Sequence, residues 1–477
     1  MKPIKVGCWR QVFIDYYLVE YSHDVVLRVN PPVKRGVVLK AERPWESHRV
    51  GAYGTVLEDG GVYKMWYDAI DSEGRIFHCY AVSHDGVNWE KPNLGLVEYE
   101  GSKNNNILPL PPCGTVFIDP HDVPERRYKY VTFGHGKHGF LSQYGVYVWW
   151  SSDGLRWTRN NLPALPFNPD TQNQAFWDER IGKYVAYLRA LAPMRCVARV
   201  EVDDLLKPWP YKPKEGVSYN LEKPEEWPFS TTELPIVFRR DEDDPENVDY
   251  YNPCVIKYPF ARDVYYMFPS AYLHFPDPPI GKYRNDGLLD IHIATSRDGV
   301  HWNRVSREPY VRLGREGEPD SKTMYMLVGM IRRGNDLWMY YSGYDYSHGA
   351  YNFKMEYKGA IFRLVQRLDG FTSLDAGYKW GEVITKPMIP GGTRLVLNAD
   401  TSATGEIRVE ALDEDERPIS GFSLKDSKPI HSNSCTIEVK WRGSPDVSKL
   451  KNRVVRLRFL MRNAKLYSFQ FLNVPKN

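Results

Sequence analysis

Short runs of alternating hydrophobic and polar residues recur along the chain, and long helical periodicity is nearly absent. The runs are rich in Val, Tyr, Trp and Phe and lie between turn-forming residues, as in 62–69 (VYKMWYDA) and 127–134 (RYKYVTFG). Alternation with a period of two predicts β-strands. The pattern therefore predicts an all-β protein.

A seven-residue motif repeats between these predicted strands. Residues 83–89 (SHDGVNW) recur as 151–157 (SSDGLRW) and 296–302 (SRDGVHW), with weaker copies at 202–209 and 367–371. Asp-Gly supplies the positive φ angles of a hairpin turn, and the Ser and Asp side chains can bond the amides of the turn. The five copies predict five structural units.

Each copy of the motif follows two predicted strands, so a unit contains about four strands. Such units repeated every 50–95 residues are typical of a β-propeller. We therefore expect a five-bladed β-propeller over residues 1–375, with the strand-like segment 11–29 completing the last blade and closing the ring. The alternative is a sandwich with coincidental turns, which the near-identity of three motifs disfavours.

The pattern changes after the last copy. Gly391 and Gly392 introduce longer alternating strands with polar turns, such as EIRVEALDED and VVRLRFLMRNA. This predicts a separate β-sandwich over residues 385–477.

Composition excludes several functional classes. The 477 residues include 63 Lys and Arg against 60 Asp and Glu, a net charge of +3 that gives no argument for nucleic acid or an anionic membrane. The six cysteines are far apart and form no CxxC pair, which favours free thiols. No metal and no cofactor are expected. No apolar run of 18 residues and no signal-peptide pattern occur in the sequence as given, so a cytoplasmic location is expected.

The turns and the predicted architecture resemble known families. The Ser-x-Asp-Gly-x-x-Trp motifs resemble the Asp-box hairpins of sialidase-like propellers. Five blades with a C-terminal sandwich resemble the superfamily of glycoside hydrolase families 32 and 43, the invertase-like and arabinanase-like enzymes. The resemblance implies glycosidase chemistry. The family's Asn-Asp-Pro-Asn-Gly and Glu-Cys motifs are absent, and Asp119-Pro120 follows a predicted strand and leads into a hairpin. The catalytic roles of the family are therefore not carried over, and the chain resembles a divergent branch.

The expected site is the mouth of the central funnel, which the residues just before each innermost strand line. These windows are 45–49, 104–106, 170–173, 249–252 and 318–322, and they are polar, as a ligand with many hydroxyls requires. Glycoside hydrolysis uses two carboxyl groups. Asp170, Asp249 and Asp320 are the predicted catalytic residues, expected to meet in one pocket where at least one has a raised pKa. The alternative role of each is capping a turn.

A second set of residues is predicted to bind substrate: Glu46, His48, Arg49, Asn106, Asn173, Tyr251, Asp345 and His348. Arg49 and Arg189 could neutralise an acidic sugar. His348 could instead be structural or ligate a central cation, and Asp286 is expected to be a turn residue.

The sequence thus predicts a glycoside hydrolase that acts on the non-reducing end of an oligosaccharide or glycoside. The alternatives are a non-catalytic glycan-binding propeller and a glycoside phosphorylase, which needs a basic cluster for phosphate beside a single acid. No nucleic-acid or membrane partner is expected, and a homo-oligomer is left open.

Overall fold

The computed structural model describes residues 2–134, 145–165, 169–192, 194–211, 234–276, 286–350 and 359–473. In these ranges the regular structure consists of strands, with short 3-10 helices at Pro44–Glu46, Pro124–Arg126 and Ser448–Leu450. The all-β prediction is confirmed. No helix in the described ranges has the length and apolarity needed to cross a bilayer. All six cysteines are free thiols.

The chain begins with five strands. They are β1 (Ile4–Gly7), β2 (Gln11–Val12), β3 (Val19–His23), β4 (Val25–Val29) and β5 (Val33–Lys40). Three sheets of four antiparallel strands follow in chain order, and each pairs its strands consecutively. We call each of these sets a unit, and we use the same word for the two groups of strands that follow them, β18 to β24 (residues 248–303) and β25 to β28 (residues 323–367).

The first three units have simple meander topology. Unit 1 contains β6 (Arg49–Asp59), β7 (Val62–Ile70), β8 (Ile76–Ser83) and β9 (Ile107–Leu108). Unit 2 contains β10 (Thr115–Ile118), β11 (Tyr128–Gly134), β12 (Gly145–Ser151) and β13 (Thr158–Arg159). Unit 3 contains β14 (Gln174–Asp178), β15 (Lys183–Leu191), β16 (Arg195–Val202) and β17 (Ile236–Phe238).

The fourth unit is divided between two sheets. Its strands are β18 (Val248–Tyr250), β19 (Val255–Lys257), β20 (Tyr265–Met267), β21 (Ser270–His274), β22 (Gly287–Ile291), β23 (Ala294–Ser296) and β24 (Trp302–Asn303). Strands β19, β20, β23 and β24 form one four-stranded sheet, whereas β18, β21 and β22 join the sheet of the fifth unit.

The fifth unit is completed by the N-terminal segment. It contains β25 (Thr323–Met326), β26 (Ile331–Arg333), β27 (Asp336–Tyr344) and β28 (Gly359–Arg367). Strand β5 pairs with β28, so residues 33–40 supply the last strand. The expectation that residues 11–29 fill this place is wrong. Strand β5 is mostly exposed, as an edge strand is, and therefore lacks the alternation that the prediction relied on.

The segment 4–29 pairs instead with the C-terminal strands. These are β29 (Thr372–Ala376), β30 (Gly381–Thr385), β31 (Met388–Pro390), β32 (Arg394–Asp400), β33 (Glu406–Leu412), β34 (Asn433–Glu438), β35 (Arg456–Arg462) and β36 (Ala464–Leu472). One sheet has the order β34-β32-β36-β29-β4 and another has the order β3-β30-β35-β33. Both contribute to one hydrophobic core, for example Leu397 and Leu466 from the first sheet with Ile407 and Phe459 from the second.

Hydrogen bonds link the first strands of neighbouring units. The Val116 amide donates to Thr55 Oγ1 at 2.9 Å, and Thr115 Oγ1 donates to the Asn173 carbonyl at 2.6 Å. The Val255 amide donates to Gln174 Oε1 at 2.7 Å. The fifth unit contacts the first through the Val56 amide, which donates to the carbonyl of Val328 at 2.8 Å. The first strands of units 1, 2, 3 and 4 are therefore linked in sequence, and unit 5 returns to unit 1.

The three strong copies of the repeated motif form the same turn. In each, Ser Oγ accepts the Gly amide, at 2.8 Å for Gly86, 2.9 Å for Gly154 and 2.8 Å for Gly299. One Asp oxygen accepts the amides two and three residues further along, all at 2.8 Å. We call these the Ser-Asp-Gly turns.

Each Ser-Asp-Gly turn also accepts a hydrogen bond from a strand of the preceding unit. The Gly154 carbonyl accepts from Trp66 Nε1 at 2.9 Å, and the Gly299 carbonyl accepts from the Tyr187 hydroxyl at 2.8 Å. The Gly86 carbonyl of unit 1 accepts from the Tyr340 hydroxyl of unit 5 at 2.8 Å. The weaker copy at 367–371 differs, since Asp369 accepts from Tyr258 and Arg10.

Candidate functional site

Chemically active side chains gather at one end of the units. In an antiparallel unit the start of the first strand, the end of the second and the start of the third lie at the same end. Arg49 begins β6 and Asp170 lies just before β14. Arg189 is near the end of β15, Arg195 begins β16, and His348 follows β27. We call the following set the arginine site: Arg49, Asp170, Arg189, Arg195, Asp249, Tyr251 and His348.

Asp170 is held from two directions. Its Oδ2 accepts from Arg189 Nη2 at 2.5 Å and its Oδ1 accepts from the Thr171 amide at 2.7 Å. Burial acts to raise the pKa of this carboxyl, but the charge of Arg189 and the bond from Thr171 outweigh it and hold the pKa below its ordinary value. The side chain is nevertheless 41% exposed. Asp170 is thus an ionised carboxylate that a ligand can reach.

The backbone at Asp170 is strained. Asp170 and Thr171 have φ angles of 51° and 55°, a left-handed conformation that is unfavourable for a β-branched residue such as Thr. The Thr171 hydroxyl anchors the turn by donating to the Tyr53 hydroxyl at 2.6 Å. Asn173 also supports it, since its Nδ2 donates to the Thr171 carbonyl at 3.0 Å. Strain of this kind persists where the surrounding structure fixes it and is concentrated at functional sites.

Asp249 is the second carboxylate of the site and is almost fully buried. Its Oδ2 accepts from Arg195 Nη1 at 3.1 Å and from the Arg195 amide at 3.3 Å. His274 Nε2 lies 3.2 Å from the same oxygen. Burial alone would raise the pKa of Asp249, but the neighbouring His274 and the charge of Arg195 lower it.

Tyr251 joins the two ion pairs. The guanidinium carbons of Arg189 and Arg195 lie 5.0 and 5.2 Å from the centre of its ring, within the range of cation–π attraction. The ring of His348 lies 4.8 Å away. Burial and the charge of Asp170 raise the pKa of the Tyr251 phenol, which is therefore protonated at neutral pH.

His348 is neutral. Burial, followed by the positive charges of the three arginines of the site, lowers its pKa to about 3. Its Nδ1 lies 2.8 Å from the hydroxyl of Tyr325, and its amide donates to the Gly287 carbonyl at 2.9 Å. No group of three or more His, Cys, Asp or Glu side chains suited to a metal ion occurs in the described ranges.

Asp286 fixes the loop that carries His348. The hydroxyl of Ser347 and the amide of Gly349 donate to this buried carboxylate at 2.9 and 2.6 Å. The predicted turn role of Asp286 therefore extends to the loop on either side of His348. Asp345, on the same loop, is half-buried.

The guanidinium group of Arg49 contacts two tyrosines. Its Nη1 donates to the Tyr346 hydroxyl at 3.0 Å, and the guanidinium carbon is 5.3 Å from the centre of the Tyr344 ring. Nε is buried and donates to no atom of the described residues. The neighbouring His48 is neutral, since burial and the charge of Arg49 lower its pKa to about 4.

Three of the predicted site residues, Asp320, Glu46 and Asn106, form their hydrogen bonds with residues outside the arginine site. Asp320 accepts from Lys34 Nζ at 2.6 Å and from the Tyr341 hydroxyl at 2.7 Å. Lys34 belongs to β5, so Asp320 forms an ion pair with the strand that completes the fifth unit. Asp170 and Asp249 both belong to the arginine site, whereas Asp320 has its partners on β5 and β27. That all three carboxyls meet in one pocket stays a prediction. The raised pKa expected of at least one of them is not found at Asp170 or Asp249, where the pKa is lowered.

Glu46 and Asn106 are enclosed in a buried network. Glu46 accepts from Lys91 Nζ and from the Tyr67 hydroxyl, both at 2.7 Å. Asn106 accepts from Trp45 Nε1 at 2.9 Å and donates to the Tyr80 carbonyl at 2.7 Å. Their hydrogen-bonding capacity is used within unit 1, which indicates a structural role.

Sequence reasoning missed Arg195, Tyr325 and His274. The predicted site windows lie before the first strands, whereas Arg195 starts a third strand and His274 ends β21. The antiparallel order of the strands predicts that these positions share one end of a unit, and this signal would have found Arg195.

A separate cavity lies between the first strands of the units. Its volume is about 370 Å³, and its lining includes Leu57, Phe117, Phe176, Trp177 and Met330. The lining is mainly apolar, and its charged residues Glu179 and Lys257 pair with each other.

Comparison with known proteins gives limited similarity in sequence. No protein-family model matches the chain. Two uncharacterized proteins from strains of Mycobacterium tuberculosis are 29% and 28% identical over 140 residues, which is 28% of this chain and 40% of each relative. The chain thus spans 40% of the length of the curated relatives it matches.

The solved structures that are similar to this chain match a larger part of its length than the sequence relatives do. A thermostable family-43 glycoside hydrolase has a TM-score of 0.41 and 14% identity, over 73% of this chain and 95% of that one. An N-acetylgalactosamine deacetylase from F. plautii in complex with blood group B trisaccharide has a TM-score of 0.46 and 15% identity, over 72% and 96%. An α-L-arabinofuranosidase from Podospora anserina in complex with cellotriose has a TM-score of 0.43 and 12% identity, over 72% and 99%. Family-43 and other glycoside hydrolases are thus among the solved structures to which this chain is similar, at TM-scores of 0.41 to 0.46.

Proposed function

We propose that the protein is a glycoside hydrolase whose reacting carboxylate is Asp170. The observation that carries the proposal is the state of this side chain. The carboxylate is ionised and accessible, and the hydrogen bond from Arg189 orients it. It lies in a turn whose backbone has a left-handed conformation that the surrounding residues maintain. An oriented carboxylate next to aromatic rings suits the chemistry of a sugar, because the rings stack on its apolar face.

Asp170 is proposed to act as the base. It takes a proton from water as the water oxygen bonds to the anomeric carbon, and the bond from that carbon to the leaving oxygen breaks. Asp249 has a lowered pKa and almost no exposure, so its proposed role is to position Arg195 and not to donate a proton. The protonated Tyr251 phenol is the proposed donor to the leaving oxygen, and the proton on Asp170 later restores it.

The architecture supports an exo mode of action. We propose that the five units form a five-bladed propeller over about residues 33–371, and that the remaining strands form a sandwich of 4–29 with 372–472. The arginine site then lies at the mouth of a central funnel, which admits one end of a glycan chain. His48, Asn173, Asp345 and His348 are proposed to contact the sugar, and a catalytic role for Asp320 stays a prediction.

The second candidate function is phosphorolysis. It is favoured by the three guanidinium groups of the arginine site, since Arg49 and His48 are joined there by Arg189 and Arg195. A phosphorylase transfers the glycosyl group to phosphate and needs such cations to hold its co-substrate.

The experiment is a screen of aryl glycosides and oligosaccharides with and without inorganic phosphate. The proposal predicts release of free sugar in phosphate-free buffer. Sugar phosphate formed only in the presence of phosphate would establish the phosphorylase instead. Measurable affinity without turnover on any glycan would identify a binding protein and contradict the proposal.

A further inference from the structure

The arginine site contains more cations than anions. Asp170 pairs with Arg189 at 2.5 Å and Asp249 pairs with Arg195 at 3.1 Å. Among the described residues no carboxylate oxygen lies within 4 Å of the Arg49 guanidinium. Of the three guanidinium groups of the site, that of Arg49 is therefore the one with no carboxylate partner among the described residues.

The neighbouring titratable groups do not neutralise the charge of Arg49. His48 and His348 are neutral above pH 5, because the pKa values of both lie well below their ordinary value. The nearby carboxylate of Asp68 is buried and has partners of its own. It accepts from the Cys113 amide at 2.9 Å, and His78 Nδ1 lies 2.8 Å from its other oxygen.

Arg49 belongs to the same site as the two ion pairs. Arg49 lies over the ring of Tyr344, whose centre is 6.4 Å from that of Tyr325. The Tyr325 ring in turn lies 5.8 Å from Tyr251, the ring that Arg189 and Arg195 both contact. The Arg49 side chain is half-buried, and a guanidinium that has no carboxylate partner keeps its fork of donors available to an anionic ligand. The position of Arg49 points to an anion on the molecule that fills the site.

We propose that Arg49 recognises the carboxylate of a uronic acid, so that the substrate class is acidic glycans. This inference rests on the proposed function and specifies its substrate. The planar fork of a guanidinium matches a carboxylate with two parallel hydrogen bonds. A sugar carboxylate carries a single negative charge, which balances the charge of Arg49.

Free phosphate fits the charge balance less well. Near neutral pH a phosphate group carries about 1.5 to 2 negative charges. It would bring excess negative charge close to Asp170 and Asp249, both of which are ionised. The observations therefore favour a carboxylate on the glycan over a phosphate co-substrate as the anion at Arg49.

The test is calorimetric titration of the whole chain with oligosaccharides that end in glucuronic or galacturonic acid. The same oligosaccharides with the carboxyl group reduced to an alcohol are the neutral counterparts. We expect the acidic form to bind about tenfold more tightly or better, as a charge-assisted hydrogen-bond pair predicts. Arg49→Gln should abolish this difference, and Arg49→Lys should retain part of it because the charge remains.

Arg332→Gln is the matched control, because Arg332 is exposed and stacks on Phe260 away from the site. It should keep the parent's preference. Equal affinity of the parent for acidic and neutral forms, a preference that survives Arg49→Gln, or tighter binding of inorganic phosphate than of any uronate would each overturn the inference. If Arg49→Gln does not fold, Arg49→Lys takes its place. Its preference for the acidic form should then be smaller than that of the parent, and an unchanged preference would overturn the inference.

Binding requires no turnover, so the two proposals fail separately. Uronates that bind in an Arg49-dependent manner and are not cleaved leave the inference standing and contradict the proposed hydrolysis. Neutral glycans that are cleaved while uronates do not bind contradict only the inference.

Discussion

Aspartates serve two purposes in this molecule, and their surroundings differ. In the Ser-Asp-Gly turns the carboxylate accepts from amides of its own turn, two and three residues away. In the arginine site the carboxylate of Asp170 accepts from Arg189, which lies on β15, the second strand of the same unit. Both kinds of carboxyl have lowered pKa values. For Asp298 burial opposes the shift, while His301 and two turn amides lower the pKa to about 2. For Asp170 the main opposing influence to burial is the charge of Arg189.

The comparison shows what repetition in a sequence reveals. The turns repeat because each unit needs the same hairpin to dock on its neighbour, and so they specify architecture. The site does not repeat, because a different residue type stands near the first strand in each unit. Examples are Arg49 in unit 1, Asp170 in unit 3 and Tyr251 in unit 4. Departures from the repeat are therefore the better guide to function in a chain of this kind.

The largest expected effect on stability comes from the buried ion pair of the site. Asp249→Asn removes the charge that compensates Arg195, whose side chain is 17% exposed while that of Asp249 is 2% exposed. Breaking a buried pair by removing one partner typically costs about 3–5 kcal/mol. Chemical denaturation should show a loss of this order in the free energy of unfolding.

The matched control is Asp243→Asn. Asp243 is 72% exposed and pairs with Arg307 at the surface, where ion pairs contribute about 0–1 kcal/mol. Equal losses for the two variants would contradict the distinction between the buried site and surface pairing.

A smaller effect is expected from acidification. His348 has a folded pKa of about 3 against about 6.5 in an unfolded chain. The unfolded state therefore binds a proton first, so the stability from neutral His348 is complete above pH 6.5 and declines as the pH falls toward 3. The thermal midpoint of the parent should fall between pH 6.5 and 4.5, and the fall should be shallower in His348→Asn. In the exposed-residue control His84→Asn the parent's slope should persist, and an unchanged slope in His348→Asn would disprove the assignment.

The smallest effect is expected at a Ser-Asp-Gly turn. Asp298→Ala removes the acceptor of two turn amides that water can partly satisfy, so we expect a loss of about 1 kcal/mol. Asp203→Ala serves as control, since Asp203 is 86% exposed in the weaker motif. If denaturation shows that Asp203→Ala destabilises as much as Asp298→Ala, the repeated turn has no special role.

The strand pattern and the three strong motifs were predictable because alternation and Asp-Gly turns depend on local sequence. The last strand of unit 5 was not, because residues 33–40 are exposed and lack a buried face to alternate with. Asp170 and Asp249 could be named from their places before strands. The ion pair between Asp320 and Lys34 could not be predicted, since it joins residues that are 286 positions apart in the sequence.

The central claim is that Asp170 performs chemistry and the aspartates of the turns do not. The direct measurement is kcat/KM for Asp170→Asn and Asp298→Asn on a glycoside that the parent cleaves. Loss of a general base lowers the rate by about 10²–10⁴-fold, so Asp170→Asn should show that loss while its thermal midpoint confirms that it is folded. Asp298→Asn should keep the parent's turnover. Full turnover in Asp170→Asn, or an equal loss in both variants, would contradict the account.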